Sequence, residues 1–513
     1  MPPVSVNYPG VYIEEVDSGV RTIAGVPTSI TAFVGRARRG PVDEPVLVHG
    51  LGEFTRRFGG LWADAPLGHA VSQYYANGGA EAVIVRVYVP PGGSDGMARA
   101  QLSAGGATDL DLRAANPGSW GNRLFVTVEE DAAADVFHLT IEERAPGPAG
   151  SPLPPVVASE RFVRLSHKPD DPRFITDVLA AESRLVRVET APSGRVTATA
   201  DTQLAGGDDG GAVGFGQIAD ATALEGGKKG MWALEKTDLF NLLVIPPFEP
   251  ATPPDKTTWD AAATYAEDRR AVLLVDPDPT WDEPGDITAA NALTNHVTRT
   301  ANAALYFPRI EFPDPLQENR SRAFPPSGAV AGIIARTDGD RGIWKAPAGQ
   351  EATIAGATRL AVSLTDAENG VLNPLAVNCL RTFPTAGTVV WGARTLRGAD
   401  ALADQWKYLP VRRTALYIEE SLYRGTQWVV FEPNDEPLWA QIRLSVGSFM
   451  NGLFRQGAFQ GTTPAQAYFV RCDRDTNPQE DIDRGIVNIF VGFAPLKPAE
   501  FVIISIQQIR PAE

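Results

Sequence analysis

The sequence predicts a multidomain protein of mixed α/β class, and three observations carry that expectation. The chain has 513 residues, about three times the ~150 that one hydrophobic core usually serves. Hydrophobic residues make up 43% and charged residues 21%, so core-forming material is present and wholesale disorder is excluded. Between residues 238 and 312, β-prone runs alternate with helical-period segments in the order βαβαβ, the pattern of parallel strands joined by right-handed crossovers.

Residues 1–22 read as an extended N-terminal arm: Val4, Val6, Val11, Tyr12, Ile13 and Val16 alternate loosely around Pro9-Gly10 and form no helical stripe. Residues 23–89 form a compact α/β start, with strands at 29–35, 45–50 and 82–89. A helix runs through Leu67, Ala70, Val71 and Tyr74 and stops at Gly78-Gly79. Residues 90–227 change character and are expected to be an inserted, β-rich domain. It contains RLFVTVEE, FHLTIEER and RFVRLS, a helix near 172–183, and the exit GGDDGG at 206–211, read as a surface turn.

Residues 228–324 hold the βαβαβ stretch: strand LFNLLVIPP, helix 258–270, strand AVLLVDP, a helix starting at Asp286, and strand ALYFPRIEF. The second helix places Ile287, Ala290, Thr294, Val297 and Ala301 on one face. Residues 325–496 are densest in apolar and aromatic side chains and are expected to hold the main core. There Asn434-Asp435-Glu436-Pro437 starts a helix to 456 that buries Leu438, Ile442, Val446, Phe449, Met450 and Leu453. Residues 497–513 form a C-terminal arm, in which Phe501, Val502, Ile503, Ile504, Ile506 and Ile509 make a β-prone run that must pair with something.

A net charge of −16 gives no general attraction to phosphate backbones or anionic lipid, so nucleic acid is not an expected partner. Cys379 and Cys472 are too few for a disulfide framework and fit a reducing, cytosolic origin. The N-terminus has neither a basic nor an apolar signal region, and no apolar run approaches a membrane span. GGKKGMW lacks the spacing and the hydroxyl of a phosphate cradle, and IPPFEPATPP replaces the glycines of a dinucleotide turn with prolines. The five histidines are scattered, and Asp276, Asp278, Asp282 and Asp286 are interrupted by Pro277, Pro279 and Pro284. No catalytic, cofactor or metal residue is therefore expected.

What stands out instead is the pair of β-prone arms, each without a partner in its own sequence neighbourhood. A strand lent to a neighbour's sheet edge supplies main-chain hydrogen bonds without a preformed pocket. The alternative is that the two termini pair with each other within one subunit. A reading from a different class, an α/β enzyme using the 228–324 region, would be marked by a polar pocket at the carboxyl ends of its strands.

Several segments resemble the tail sheath proteins of contractile bacteriophages and of related phage-tail-like contractile injection systems. They are YPGVYIEEV at 8–16, VPTSITAFVGRARRGP at 26–41, NGGAEAVIVRV at 77–87, PPSGAVAGIIARTDGDRGIWKAPAG at 325–349, WKYLPVRRTALYIEESLYRGTQWVVFEPNDEPLW at 406–439 and KPAEFVIISIQQ at 497–508. Residues 90–227 resemble the family least. The resemblance implies one inner α/β domain built from 26–89 and 325–496, with the intervening segments inserted as outer domains. It also implies that residues 11–16 and 501–509 cross to adjacent subunits, linking six-fold rings into a helical tube that contracts without enzymatic activity.

The implied partners are further copies of the chain, an inner tail tube protein, and baseplate and terminator or cap proteins. Assembly would take place in the bacterial cytoplasm, and the tube-facing element would lie in the C-terminal domain. One candidate is the polar side of the 436–456 helix, with Gln441, Ser445, Ser448 and Asn451, and another is segment 400–407. A static coat or tube protein is the remaining possibility, separated from a sheath by its single lattice state.

Overall fold

The computed structural model describes residues 21–147 and 154–503. They form a mixed α/β structure with two compact units, which among the described residues are 28–147, 154–340 and 347–409 for the first and 21–27, 341–346 and 410–503 for the second.

The first unit is built on an eight-stranded sheet. Its spatial order is Gly387–Val390, Val377–Phe383, Ala303–Phe307, Val272–Val275, Leu242–Val244, Thr31–Gly35, Ala82–Arg86 and Val46–Val48. The six inner strands run parallel and the two edge strands antiparallel. Strands such as AALYF and VLLV are buried at every position, because helices cover both faces and no side of the strand meets water. This sheet crosses the boundaries expected at 227/228 and 324/325. Thr31 pairs with Leu242 and Leu305 with Val377, so the α/β start, the βαβαβ stretch and part of the C-terminal third share one core. Runs of three to five apolar residues are too short to make separate sheets, and they are pooled into one.

Helix Lys256–Asp268 packs beside the sheet, capped by Asp255, whose carboxylate accepts from the Thr258 N–H at 2.9 Å. The single helix expected from Asp286 is instead two short ones, Pro284–Thr288 and Ala292–His296, broken where Asn291 turns left-handed at φ 66°. Ile287 and Val297 stay buried while Ala290 and Thr294 face solvent. The expected strand ALYFPRIEF also divides: after the cis Phe307–Pro308 bond, Ile310–Asp314 joins a separate antiparallel sheet with Arg320–Phe324 and Arg359–Leu360.

Helix Ser327–Arg341 lies against helix Leu67–Ala76 at backbone contact distance. A Cβ on Gly328 would stand 2.4 Å from the Ala70 carbonyl, and one on Gly332 would stand 2.4 Å from the Tyr74 carbonyl. Only glycine permits that approach.

Within the insertion, one three-stranded sheet (Arg99–Leu102, Leu110–Ala114, Val186–Thr190) and one four-stranded sheet (Thr199–Gln203, Leu124–Asp131, Val136–Arg144, Val156–Leu165) enclose a single core. Leu124, Val126 and Val128 point into it and Phe125 and Thr127 out, the period of two of a strand with one wet face. The GGDDGG segment is a clasp. The Gly211 N–H donates to the Val89 carbonyl at 2.9 Å, the Asp208 N–H to the Gly96 carbonyl at 3.1 Å, and the Asp209 carboxylate accepts from Ser119. Beside it, the Glu143 carboxylate accepts from Arg39 at 2.7 Å and Arg123 at 2.9 Å.

In the second unit, Asp435 caps helix Glu436–Arg455, accepting from the Glu436 N–H at 2.7 Å. Leu438, Ile442, Val446, Phe449, Met450 and Leu453 are buried on one side, as the spacing predicts. Helix Leu409–Gly425 packs along it, with Tyr417 6.1 Å from Phe449, and holds the incoming chain where the Val26 N–H donates to Ser421 at 3.2 Å. A two-stranded antiparallel sheet, Tyr468–Arg471 and Phe490–Phe493, completes the unit.

Candidate assembly site

The two-stranded sheet is held by its core face. Tyr468 stands opposite Phe493, and both pack on Phe459 at ring distances of 6.2 and 5.6 Å. The long loop between the strands is fixed from inside by buried Asn477. Its Oδ1 accepts from the Asn488 N–H at 2.6 Å, and its Nδ2 donates to the Asp473 carbonyl at 3.0 Å. Asn434 donates to the Ile486 carbonyl at 2.9 Å, and Arg443 bonds the Cys472 carbonyl.

The opposite face carries Phe469 and Phe490, 51% and 55% exposed. The Phe469 ring lies over Gly492, where a Cβ would stand 2.3 Å away. Among the described residues neither strand has a second strand partner. A two-stranded ribbon is marginal alone, and among the described residues both of its long edges lack a partner strand.

This hairpin was absent from the sequence expectations, because YFVR and FVGF are each too short to show a period. The arm residues expected to link subunits fall mostly outside the described residues: Val11, Tyr12, Ile13, Val16, Ile504, Ile506 and Ile509. Phe501, Val502 and Ile503 are described, as irregular and exposed backbone.

On helix Glu436–Arg455, Gln441 and Ser448 are exposed and Asn451 is half-buried. Ser445 is buried, and its Oγ accepts from the Arg21 N–H at 3.3 Å, so it does not belong to an exposed polar face. The incoming chain covers it. Segment 400–407 satisfies much of its own charge. Asp400 accepts from Lys407 at 2.6 Å and Arg394 at 3.0 Å, and the Lys407 bond holds its carboxyl below the ordinary range. Asp404 pairs with Arg397 at 2.7 Å.

At the carboxyl ends of the parallel strands, where α/β sheets bind ligands, there is a cavity of about 10 Å³, room for a single water. Prolines 247, 277 and 325 wall it, with Trp259, His296 and Arg309. Asp276, also in the lining, turns to the protein: its carboxylate accepts from the Ser327 N–H at 2.9 Å and the Ser327 hydroxyl at 2.8 Å. Burial pushes the Asp276 carboxyl up to about 7. Asp278 and Asp286 close local turns, and no group of three metal-ligating side chains occurs among the described residues. No helix among them is long and apolar enough to cross a membrane.

Residues 224–396 match the family model described as phage tail sheath protein central domain, and residues 403–509 match the phage tail sheath C-terminal domain; together they take in more than half of the chain. The tail sheath protein of Burkholderia phage BcepMu is 24% identical over 512 residues, 97% of this chain and 96% of that one. The tail sheath protein of Vibrio phage KVP40 is 26% identical over 43% of this chain, and the match spans 31% of that protein. Among solved structures, the helical sheath of the anti-feeding prophage in its contracted state superposes with a TM-score of 0.60 at 22% identity, covering 98% of this chain and 100% of that one. A sheath tail protein from Listeria innocua gives 0.59 at 14% identity, covering 93% and 96%.

Proposed function

The chain belongs to the phage tail sheath family, and on that premise we propose that it is the repeating subunit of a contractile sheath. It polymerises as a helical tube of stacked six-subunit rings around an inner tube and contracts to drive that tube through a target envelope. The observation that carries this reading is the hairpin Tyr468–Arg471 and Phe490–Phe493, whose two free edges match in number the two β-prone arms, 11–16 and 501–509. Arms from neighbouring copies would add to those edges and complete a four-stranded sheet.

A head-to-tail contact repeated with a rise and a rotation that never closes makes an open tube. Contraction is then a rigid-body rearrangement about the exchanged strands, from a kinetically trapped lattice to one that buries more surface. Each further 1,000 Å² of apolar surface buried per subunit would supply at most about 25 kcal/mol before desolvation and ordering costs.

No catalytic step is needed. The partners in this proposal are further copies, an inner tube protein, and baseplate and terminator proteins, with neither nucleic acid nor membrane insertion. Assembly takes place in the bacterial cytoplasm, and Gln441, Ser448 and Asn451 or segment 400–407 face the tube. The test is negative-stain microscopy of the full chain beside one lacking 501–513, each with and without an inner-tube protein. Striated tubes from the full chain alone, with a folded but soluble truncation, are expected. No tubes from the full chain under either condition would sink the reading.

A further inference from the structure

The loop between the two long helices of the second unit carries Val430 and Phe431, and Phe431 is 102% exposed, the most exposed large apolar side chain among the described residues. Its backbone is left-handed, at φ 69°, a conformation that is an outlier for a bulky residue and that persists only where its surroundings impose it. They do so here. The Val429 N–H donates to the Thr426 carbonyl at 3.0 Å on one side. On the other, Asn434 is held between Trp439 at 2.9 Å and the Ile486 carbonyl at 2.9 Å. An apolar knob bracketed by these hydrogen bonds is thus presented to solvent.

We propose that Phe431, with Val430, is the side-chain anchor of the contact between copies, and that it seats on the outer hairpin face of the next copy, on Phe469 and Phe490. The proposal rests on the sheath reading above. Three considerations select a second copy as the occupant.

The first is area. A strand edge of four residues is about 13 Å long and buries on the order of a few hundred Å², short of the roughly 1,200 Å² or more of a stable interface. Strand addition alone therefore leaves a deficit that a buried aromatic anchor fills. The second is geometry. Knob and socket are different surfaces of one chain, so their contact is heterologous and propagates, whereas a self-complementary patch would close into dimers. The third is release. An inner tube must slide free during contraction, which suits polar contacts, while a mainly apolar anchor, with the Arg471 guanidinium 5.3 Å over the Phe469 ring at its side, suits neighbours that stay joined.

The experiment uses the full chain and pelleting assays with negative-stain microscopy. F431S is expected to raise the concentration needed for tube formation at least tenfold, with an unchanged circular dichroism spectrum and melting temperature, while F431W assembles like the parent. F431C combined with F469C is expected to give a disulfide-linked ladder on oxidation that neither single variant gives, since Cys379 and Cys472 are buried.

Tubes of F431S at the parent concentration, or no ladder from the pair, overturn the anchor and leave the sheath reading standing. Normal tubes of F431S that no longer retain an inner-tube protein also overturn it, and assign the knob to the tube. A parent chain that forms no polymer with or without the tube protein overturns both.

Discussion

Replacing Glu143 by Gln should loosen the insertion from the body of the first unit. Glu143 is 5% exposed and sits between two guanidiniums, accepting from Arg39 at 2.7 Å and from Arg123 at 2.9 Å. The amide keeps the shape and one acceptor but removes the charge, and it turns an N–H₂ toward an arginine that can only donate. Two charge-assisted bonds are each weighted at about 1.5–3 kcal/mol, and leaving one partner of a buried pair uncompensated costs about 3–5 kcal/mol. Both arginine side chains retain about a fifth of their exposure, so solvent screens part of the loss, and about 2–3 kcal/mol is the expected destabilisation. The cluster has little slack, because the Nε atoms of Arg39 and Arg123 already lack partners.

Trp120, with Arg39 5.6 Å above its ring, is a local probe. Urea unfolding followed by fluorescence, with W120F as the subtraction control, reads the insertion, and limited proteolysis of segments 90–98 and 204–213 reads its docking. A variant within 0.5 kcal/mol of the parent and equally protected would refute the argument that this cluster holds the insertion in place.

Gly328→Ala and Gly332→Ala should each cost more than about 2 kcal/mol in thermal or chemical melts, because the new methyl meets backbone rather than a movable side chain; an unchanged melt would mean the helices can part freely. Asp276 has its folded pKa raised from 3.8 to about 7. Its contribution is therefore fully present below about pH 4 and is lost as the pH rises through 7, by up to about 4 kcal/mol. Melting curves from pH 5 to 8 should show this fall and Asp276→Asn should flatten it; equal slopes would dismiss it. Asn477→Ala leaves the Asn488 N–H without its internal acceptor and should destabilise the second unit by about 1–3 kcal/mol, with faster amide exchange in 472–489 as the readout.

Much of the local structure was legible. Helix Glu436–Arg455 follows from six apolar residues at helical spacing behind an Asp-Glu-Pro start, and the inner strands follow from short, wholly apolar runs. Pairing over long separations was not legible: nothing local to Thr31 says that its neighbour is Leu242. Residues 284–301 deceived the reading because the apolar spacing continued through Asn291, where the backbone leaves the helix. Ser445 looked exposed because spacing locates the apolar face of its own helix and is silent about the chain that comes to cover the other side. The hairpin was missed for want of length, and the knob at Phe431 because exposure is a tertiary property.

The GGDDGG clasp sets the terms on which the insertion can be exchanged. Its two connections leave the body as hydrogen-bonded neighbours, Val89 beside Gly211 and Gly96 beside Asp208, so the chain enters and leaves the 99–205 lobe through a single gate. A linker of roughly two or three residues closes such a gap at little entropic expense, and a foreign domain whose termini lie equally close can be spliced in provided that the buried Arg86 guanidinium of the sheet, which donates to the Pro117 carbonyl of the lobe at 2.9 Å, keeps an acceptor. The lobe is thus a replaceable cassette, and a polymer of this chain would carry whatever is loaded there once per subunit along its whole length.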